Sequence, residues 1–232
     1  MCAPTVLHQK PGKAAPSARR PARPTRSAAL LVALAALLPA ACASKLPRAP
    51  QTFTLDAPPA PATPAPGATR IVALRPADVA PAYSGVELVY RVGDHAIERD
   101  PYASFAAPPA WLLTSALRGY LRGADFMRDV VVPGEGVPID AEIEPALVEI
   151  AGDFTGASPE AVMVVHFRVL APAAGSTSRE ILLKTYTARR PIARHAASAV
   201  VASWNEALAA IAAEFLADLK AALPPPRSSP VG

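Results

Sequence analysis

Two kinds of apolar spacing alternate along the chain, and the switches between them mark out the predicted elements. Tyr83 to Arg122 reads YSGVELVYRVGDHAIERDPYASFAAPPAWLLTSALRGYLR. Val86, Leu88 and Tyr90 alternate with polar neighbours, Gly93-Asp94 interrupts, and Ala96-Ile97 continue beyond. Period two broken by Gly-Asp predicts a hairpin, because glycine accepts the positive φ of a tight turn. Pro108-Pro109 stop any strand and suit the first turn of a helix. From Trp111 the period lengthens: Leu113, Leu117, Tyr120 and Leu121 share one helical face, with Arg118 and Arg122 off it. The stretch therefore predicts a hairpin, an aromatic-bearing connection, and an amphipathic helix packed back on a sheet, with Gly123 suited to the helix end.

The same reading covers the rest of the chain. Arg70 to Asp78 predicts a strand closed by Pro76, and Phe126 to Val132 another, followed by a loop at Pro133–Gly136. In Ala146 to Phe154, Ala146, Val148 and Ile150 share one side. Gly156 and Ser158-Pro159 turn the chain into Ala161–Leu170, where Met163, Val165, Phe167 and Val169 face in and His166 and Arg168 face out. Pro172 to Ser178 turns it again, and Arg179 to Arg189 returns, completing an antiparallel meander. Ala196 to Leu223 predicts a long helix with Trp204, Leu208, Ile211, Phe215 and Leu219 in one stripe, ended by Pro224-Pro225-Pro226. Its polar face is mostly acidic, which suits a helix covering a sheet rather than one lying on a membrane. Two helices and six or seven strands, largely antiparallel, predict an α/β fold with helices against one sheet, over residues 70–223. Residues 224–232 read as a tail.

The N-terminal segment changes the electrostatic picture. Lys10, Lys13, Arg19, Arg20, Arg23 and Arg26 precede an apolar run, Ala28 to Ala41, that ends at Cys42. That order describes a secretory signal over residues 1–41, too short for a bilayer span of about 20 residues. A cysteine directly after small residues at the end of such a run predicts lipid attachment at Cys42, although Leu38 sits one place early and Pro39 takes the place usually held by Leu. Six of the 23 basic residues and none of the 19 acidic ones precede Cys42, so a formal charge of +4 becomes −2 from Cys42 on. The inference from a basic chain to nucleic acid fails, and no nucleic-acid partner is expected. With Cys2 in the signal and Cys42 lipidated, no disulfide and no cysteine metal site are expected.

Residues 42–69 read as the lipidated cysteine and a tether. Pro47, Pro50, Pro58, Pro59, Pro61, Pro64 and Pro66 favour extended conformation at about 3.1 Å per residue, a reach of up to ~80 Å for Ser44–Thr69. Phe53-Thr54-Leu55 interrupts it as an expected edge strand.

Candidate chemistry is sparse. His95, His166 and His195 lack second ligands at metal spacing and read as solvated or capping residues. There is no G-x-S-x-G elbow, Walker lysine loop or G-x-G-x-x-G. Glu142 and Glu144 share one strand face but read as a solvated edge rather than an acid/base pair. Arg189, Arg190 and Arg194 form a basic cluster that reads as surface ion pairs, or more sharply as an anionic-lipid contact. Tyr102, Phe105 and Trp111 read either as core aromatics under the helix or as the lining of a partner surface. No catalytic residue, metal or cofactor is expected.

Tyr102, Phe105, Pro108, Pro109, then Leu112-Leu113-Thr114 and Ala116-Leu117, resemble the ABC-type transport auxiliary lipoproteins (PqiC-like) that work beside MCE-domain lipid transporters. Phe105 stands where that family usually carries Trp. The resemblance implies a fold similar to the N-terminal domain of TolB and a non-enzymatic lipoprotein, with palmitate-type acyl chains on Cys42, in the inner leaflet of the outer membrane. Ala43, in place of the Asp associated with inner-membrane retention, favours that side. It also implies an MCE-domain protein with its ABC permease and ATPase as partners, and a homo-oligomer matching the MCE ring. The alternative from another class is an outer-membrane lipoprotein that activates a cell-wall synthase.

Overall fold

In the computed structural model, which describes residues 49–56, 63–173 and 177–225, the alternating stretches are strands and the 3.6-periodic ones helices. The expected signal segment, Cys42, part of the tether and most of the expected tail lie outside the described residues. The strands are β1 (Gln51–Phe53), β2 (Arg70–Leu74), β3 (Asp78–Val79), β4 (Glu87–Gly93), β5 (Ala96–Phe105), β6 (Met127–Val131), β7 (Ala141–Asp153), β8 (Glu160–Pro172) and β9 (Ser178–Pro191). The helices are α1 (Pro109–Gly123) and α2 (Ala197–Ala222).

β7 organises the sheet. β8 pairs antiparallel along its length, and β9 pairs antiparallel with β8. On its other side β7 takes three partners in succession: Val72 of β2 lies level with Ala141, Asp78 of β3 with Ala146, and Tyr90 of β4 with Gly152. These three pairings are parallel, as are β1 with β5 and β2 with β6. The fold class is the expected mixed α/β arrangement of one large sheet and two helices. The longest ladders are antiparallel, but each side-by-side return through α1 or a loop adds a short parallel one, which strand periodicity does not encode.

β7 also runs further toward its start than the expected Ala146–Phe154 and carries Pro145 in its middle. A proline in a central strand loses a ladder bond unless its nitrogen faces a gap. Here it does. The carbonyls of Ile143 and Leu147 accept from the N–H groups of Arg75 and Ala80 at 3.0 and 2.9 Å. Residues 143, 145 and 147 thus turn the same way, and Pro145 faces the break between β2 and β3.

Both helices cover one face. α1 leans on β6 and β7, α2 on β8 and β9, and the helices touch each other. The predicted stripe of α2, Trp204, Leu208, Ile211, Phe215 and Leu219, is buried, as are Met163, Val165, Phe167 and Val169 of β8. Phe167 stacks on Phe215 at 3.9 Å between centroids, and Tyr186 meets both rings edge-on. By length and composition alone α2 could cross a bilayer, yet half of its apolar window is buried inside the fold. α1 ends without the glycine cap: Gly123 is its last helical residue and Ala124, at φ −74°, is the cap.

The fold starts earlier than Arg70. β1 pairs with β5 at the sheet edge, Leu55 is buried in the core, and the Asn205 side chain grips Asp56 through two 3.0 Å bonds, accepting from its backbone N–H and donating to its carboxylate. The free part of the expected tether before the fold is correspondingly short.

Near the other end of β7, Gly152 permits a close approach. A Cβ there would meet Phe154 Cε2 at 2.9 Å, Tyr90 Cδ1 at 3.0 Å and Val200 Cγ1 at 3.4 Å. Two of these are ring atoms packed against each other at a 5.5 Å centroid distance and cannot swing away cheaply. Gly152→Ala is therefore expected to destabilise the domain by about 1–3 kcal/mol through overpacking, read from the midpoint of urea unfolding.

Candidate functional site

The three aromatics singled out in the sequence part company in space. Phe105 ends β5, is only 4% exposed, and packs on Trp204 at 5.6 Å between ring centroids. It is a core residue and cannot meet a partner in this fold. Tyr102 is 48% exposed on β5, its backbone N–H donating to Asp100 Oδ1 at 2.8 Å. The segment expected to be a connection is thus the second half of a strand. Trp111 is 73% exposed, the most solvent-facing large apolar side chain among the described residues.

Local chemistry explains why Trp111 points out. Pro108 caps α1 and Pro109 occupies its first turn, with no side-chain cap. Leu113, Ala116, Leu117 and Leu121 form the buried face. Trp111, Thr114, Ser115 and Arg118 follow one another at the same helical spacing on a different face. Two members of that face are committed to the scaffold. The Thr114 hydroxyl accepts from the Ala77 N–H at 2.8 Å, in the break between β2 and β3, and donates to the Ala110 carbonyl at 2.7 Å. The Arg118 guanidinium donates to the Val130 carbonyl at 3.2 Å on β6. With Pro76 these residues line an open cleft of about 380 Å³, in which the indole is the apolar wall. The roles of Thr114 and of Asn205 were not anticipated; only the spacing of Thr114 along the Trp111 face hinted at the first.

The titratable groups sit in ion-pair networks. Glu142 and Glu144 are half-buried on a central strand rather than at a solvated edge. Arg75 bonds Glu142 and lies 3.3 Å from Glu144, which Arg168 reaches at 3.4 Å. Arg189 pairs with Glu160 and Asp153 at 3.3 and 3.6 Å, as a surface ion-pair reading expects. Arg190 donates to the carbonyl of Arg189, and Arg194 to Ser198 Oγ. His166 shares a hydrogen bond with Thr185, and the His195 ring lies 5.2 Å from that of Phe154. Among the described residues no three His, Cys, Asp or Glu side chains gather as metal ligands would.

One network ties β9 to α2. Lys184 Nζ donates to Asp218 at 2.8 Å and Glu214 at 2.9 Å, and the Tyr186 hydroxyl donates to Asp218 at 2.7 Å. The Lys184 ammonium, then the Tyr186 hydroxyl, hold the Asp218 carboxyl below its ordinary range. Asp218, then Glu214, raise Lys184. Burial, then the bond to Asp218, raises Tyr186. The aspartate contribution is in place above the ordinary carboxylate pKa and is lost as pH falls through the lowered value. The lysine and tyrosine contributions are in place below their ordinary values and are lost as pH rises through the raised ones. Tm against pH should therefore show a plateau with an acid and a basic limb, and Lys184→Met should shrink both.

The family model described as "ABC-type transport auxiliary lipoprotein component" matches residues 53–215, from β1 into the last turns of α2. A search of curated proteins finds no match. Among solved structures, a Xanthomonas campestris protein of the DUF330 family is similar at a TM-score of 0.58 and 18% identity, covering 71% of this chain and 90% of that one. A second, described as an uncharacterized protein, is similar at a TM-score of 0.58 and 12% identity, covering 74% of this chain and 99% of that one. At these identities the likeness concerns the fold.

Proposed function

This chain belongs to the family of ABC-type transport auxiliary lipoprotein components, and from that premise we propose that it serves an MCE-type lipid transport system by docking rather than catalysis. Membership makes it an auxiliary part of an ABC transport system and a membrane-anchored lipoprotein of the envelope. On the finer reading, Cys42 carries the acyl chains and sits in the inner leaflet of the outer membrane. The domain over 51–223 receives the MCE-domain protein, whose permease and ATPase lie beyond it. Copies of the chain assemble to match the MCE ring.

Trp111 is the observation that carries the docking reading. An indole with 73% exposure, set on a helix whose neighbouring polar groups are tied to the scaffold, presents a large apolar surface to a partner. Side chains of this type dominate binding energy at protein interfaces. Tyr102 is the second candidate contact. Phe105, being core, drops out.

The test is affinity capture of the tagged chain from detergent-solubilised envelopes, with partners identified by mass spectrometry. An MCE-domain protein recovered with the chain and lost with Trp111→Ala is the expected result. Recovery of a cell-wall synthase in its place would overturn the transport reading while leaving the lipoprotein family intact.

A further inference from the structure

The chain enters the fold from a defined side. β1 runs parallel to β5 with Gln51 level with Ala103, and β5 comes back antiparallel from the β4–β5 turn. Gln51 is thus the end of β1 nearer that turn. The entry point is also pinned, since the Ala106 N–H donates to the Phe53 carbonyl at 2.7 Å, Leu55 is buried, and Asn205 holds Asp56.

Two lengths then decide the geometry. Nine residue steps separate Cys42 from Gln51. Even fully extended, at ~3.3 Å per residue, they span only about 30 Å. The hairpin reaches past β1 by much of that length: Glu87 lies level with Ser104 and Gly93 sits at the turn, and these six steps of strand cover about 20 Å. Cys42 can therefore lie at most about 10 Å beyond the turn along the direction of the hairpin, so its lipid keeps the domain close to the bilayer.

What the hairpin carries suits that position. Ile97 and Val92 are 46 and 42% exposed. Ile97 stands opposite Arg91, whereas Val92 lies with Tyr90 in a hollow of about 250 Å³ bounded by His195 and the start of α2. Arg190 belongs to the same end of the sheet, in the row Tyr90–Gly152–Ala161–Arg190, and among the described residues neither it nor Arg194 pairs with a carboxylate. Asp94 and Glu98 flank the turn, which limits it to the headgroup layer rather than the hydrocarbon.

We infer that the β4–β5 turn is a membrane-contact element, lying in the phospholipid headgroup layer of the bilayer that carries Cys42, with Ile97 and Val92 as its apolar contacts. The inference rests on the anchoring reading above. It leaves the Trp111 cleft, on the far side of β3 from this turn, free for a protein partner.

From Cys42 on the chain holds no other cysteine, so Ile97→Cys in the lipidated chain offers one thiol for a fluorescent label. Leu183→Cys, 54% exposed in the row Leu183–Arg168–Glu144, is the reference. That row lies about 26 Å from Gly152 toward the start of β7, away from the turn. In vesicles of phosphatidylethanolamine and phosphatidylglycerol carrying nitroxide lipids, quenching at Ile97 is expected to exceed that at Leu183 several-fold. Equal quenching at the two sites, with the lipid mass on Cys42 verified, would overturn the contact and leave the anchoring untouched. Absence of that lipid mass would overturn the anchoring reading and the contact with it.

Discussion

Trp204→Ala is expected to cost about 3–5 kcal/mol of folding stability, the largest loss any single side-chain truncation in this domain should give. Trp204 is fully buried, packs on Phe105, and donates from Nε1 to the Ala151 carbonyl of β7 at 3.1 Å. Truncation removes the transfer energy of the ring, leaves a cavity between α2 and the sheet, and deletes the indole's hydrogen bond to the Ala151 carbonyl. Since domains of this size hold only about 5–15 kcal/mol in all, the variant should be close to unfolding at growth temperature. Trp204→Phe separates the contributions, because it keeps most of the ring and loses the hydrogen bond, at about 1–3 kcal/mol. Trp111→Ala is the control and should change the unfolding free energy read from urea titration by less than about 0.5 kcal/mol. The protein has two tryptophans, so fluorescence of each single-tryptophan variant reports on one environment. An equal effect of the two truncations would contradict the assignment of one indole to the core and the other to the surface.

The contrast between these indoles shows what was legible in the chain. The Trp204 stripe repeats over several turns, so its buried face was plain, and β8 was plain because its alternation is uninterrupted. Trp111 was legible in principle: it shares its helical face with Thr114, Ser115 and Arg118, not with Leu113 and Leu117. The general tendency of aromatics to be inside outweighed that local spacing, and Phe105, at the end of β5 where only Ala103 and Phe105 are buried, took the core position instead. Two features were beyond local pattern. The first half of β7 hides behind Glu142, Glu144 and Pro145, which are compatible with a central strand only because β2 stops and β3 starts opposite the proline. Docking of the tether depends on Asp56 meeting Asn205, 149 positions away, while the surrounding proline and alanine residues carry the composition of a free linker. Tertiary contacts that join distant positions leave no period in either partner.

Those contacts set the terms of the second large effect. Cys42→Ala should leave the fold and its Tm unchanged, because the first strand begins nine positions later at Gln51, and should move the chain from the membrane fraction to the periplasmic one. Each acyl CH₂ in a bilayer contributes about 0.8 kcal/mol, so two or three chains hold a protein on the membrane almost irreversibly. A contact made by one hairpin turn does not replace them. Function in the cell should fall nearly to that of a deletion, since losing the tether removes a local concentration on the order of millimolar for a partner held at the same bilayer. Trp111→Ala should act differently, keeping the chain on the membrane while weakening capture of its partner by about 2 kcal/mol, roughly 30-fold. If anchoring and docking act in series, the double variant should be no worse in the cell than Cys42→Ala alone. Fractionation with complementation of a deletion strain reads all three. Full complementation by Cys42→Ala would mean that the domain finds its partner without the lipid, and that the short, pinned tether serves something other than proximity.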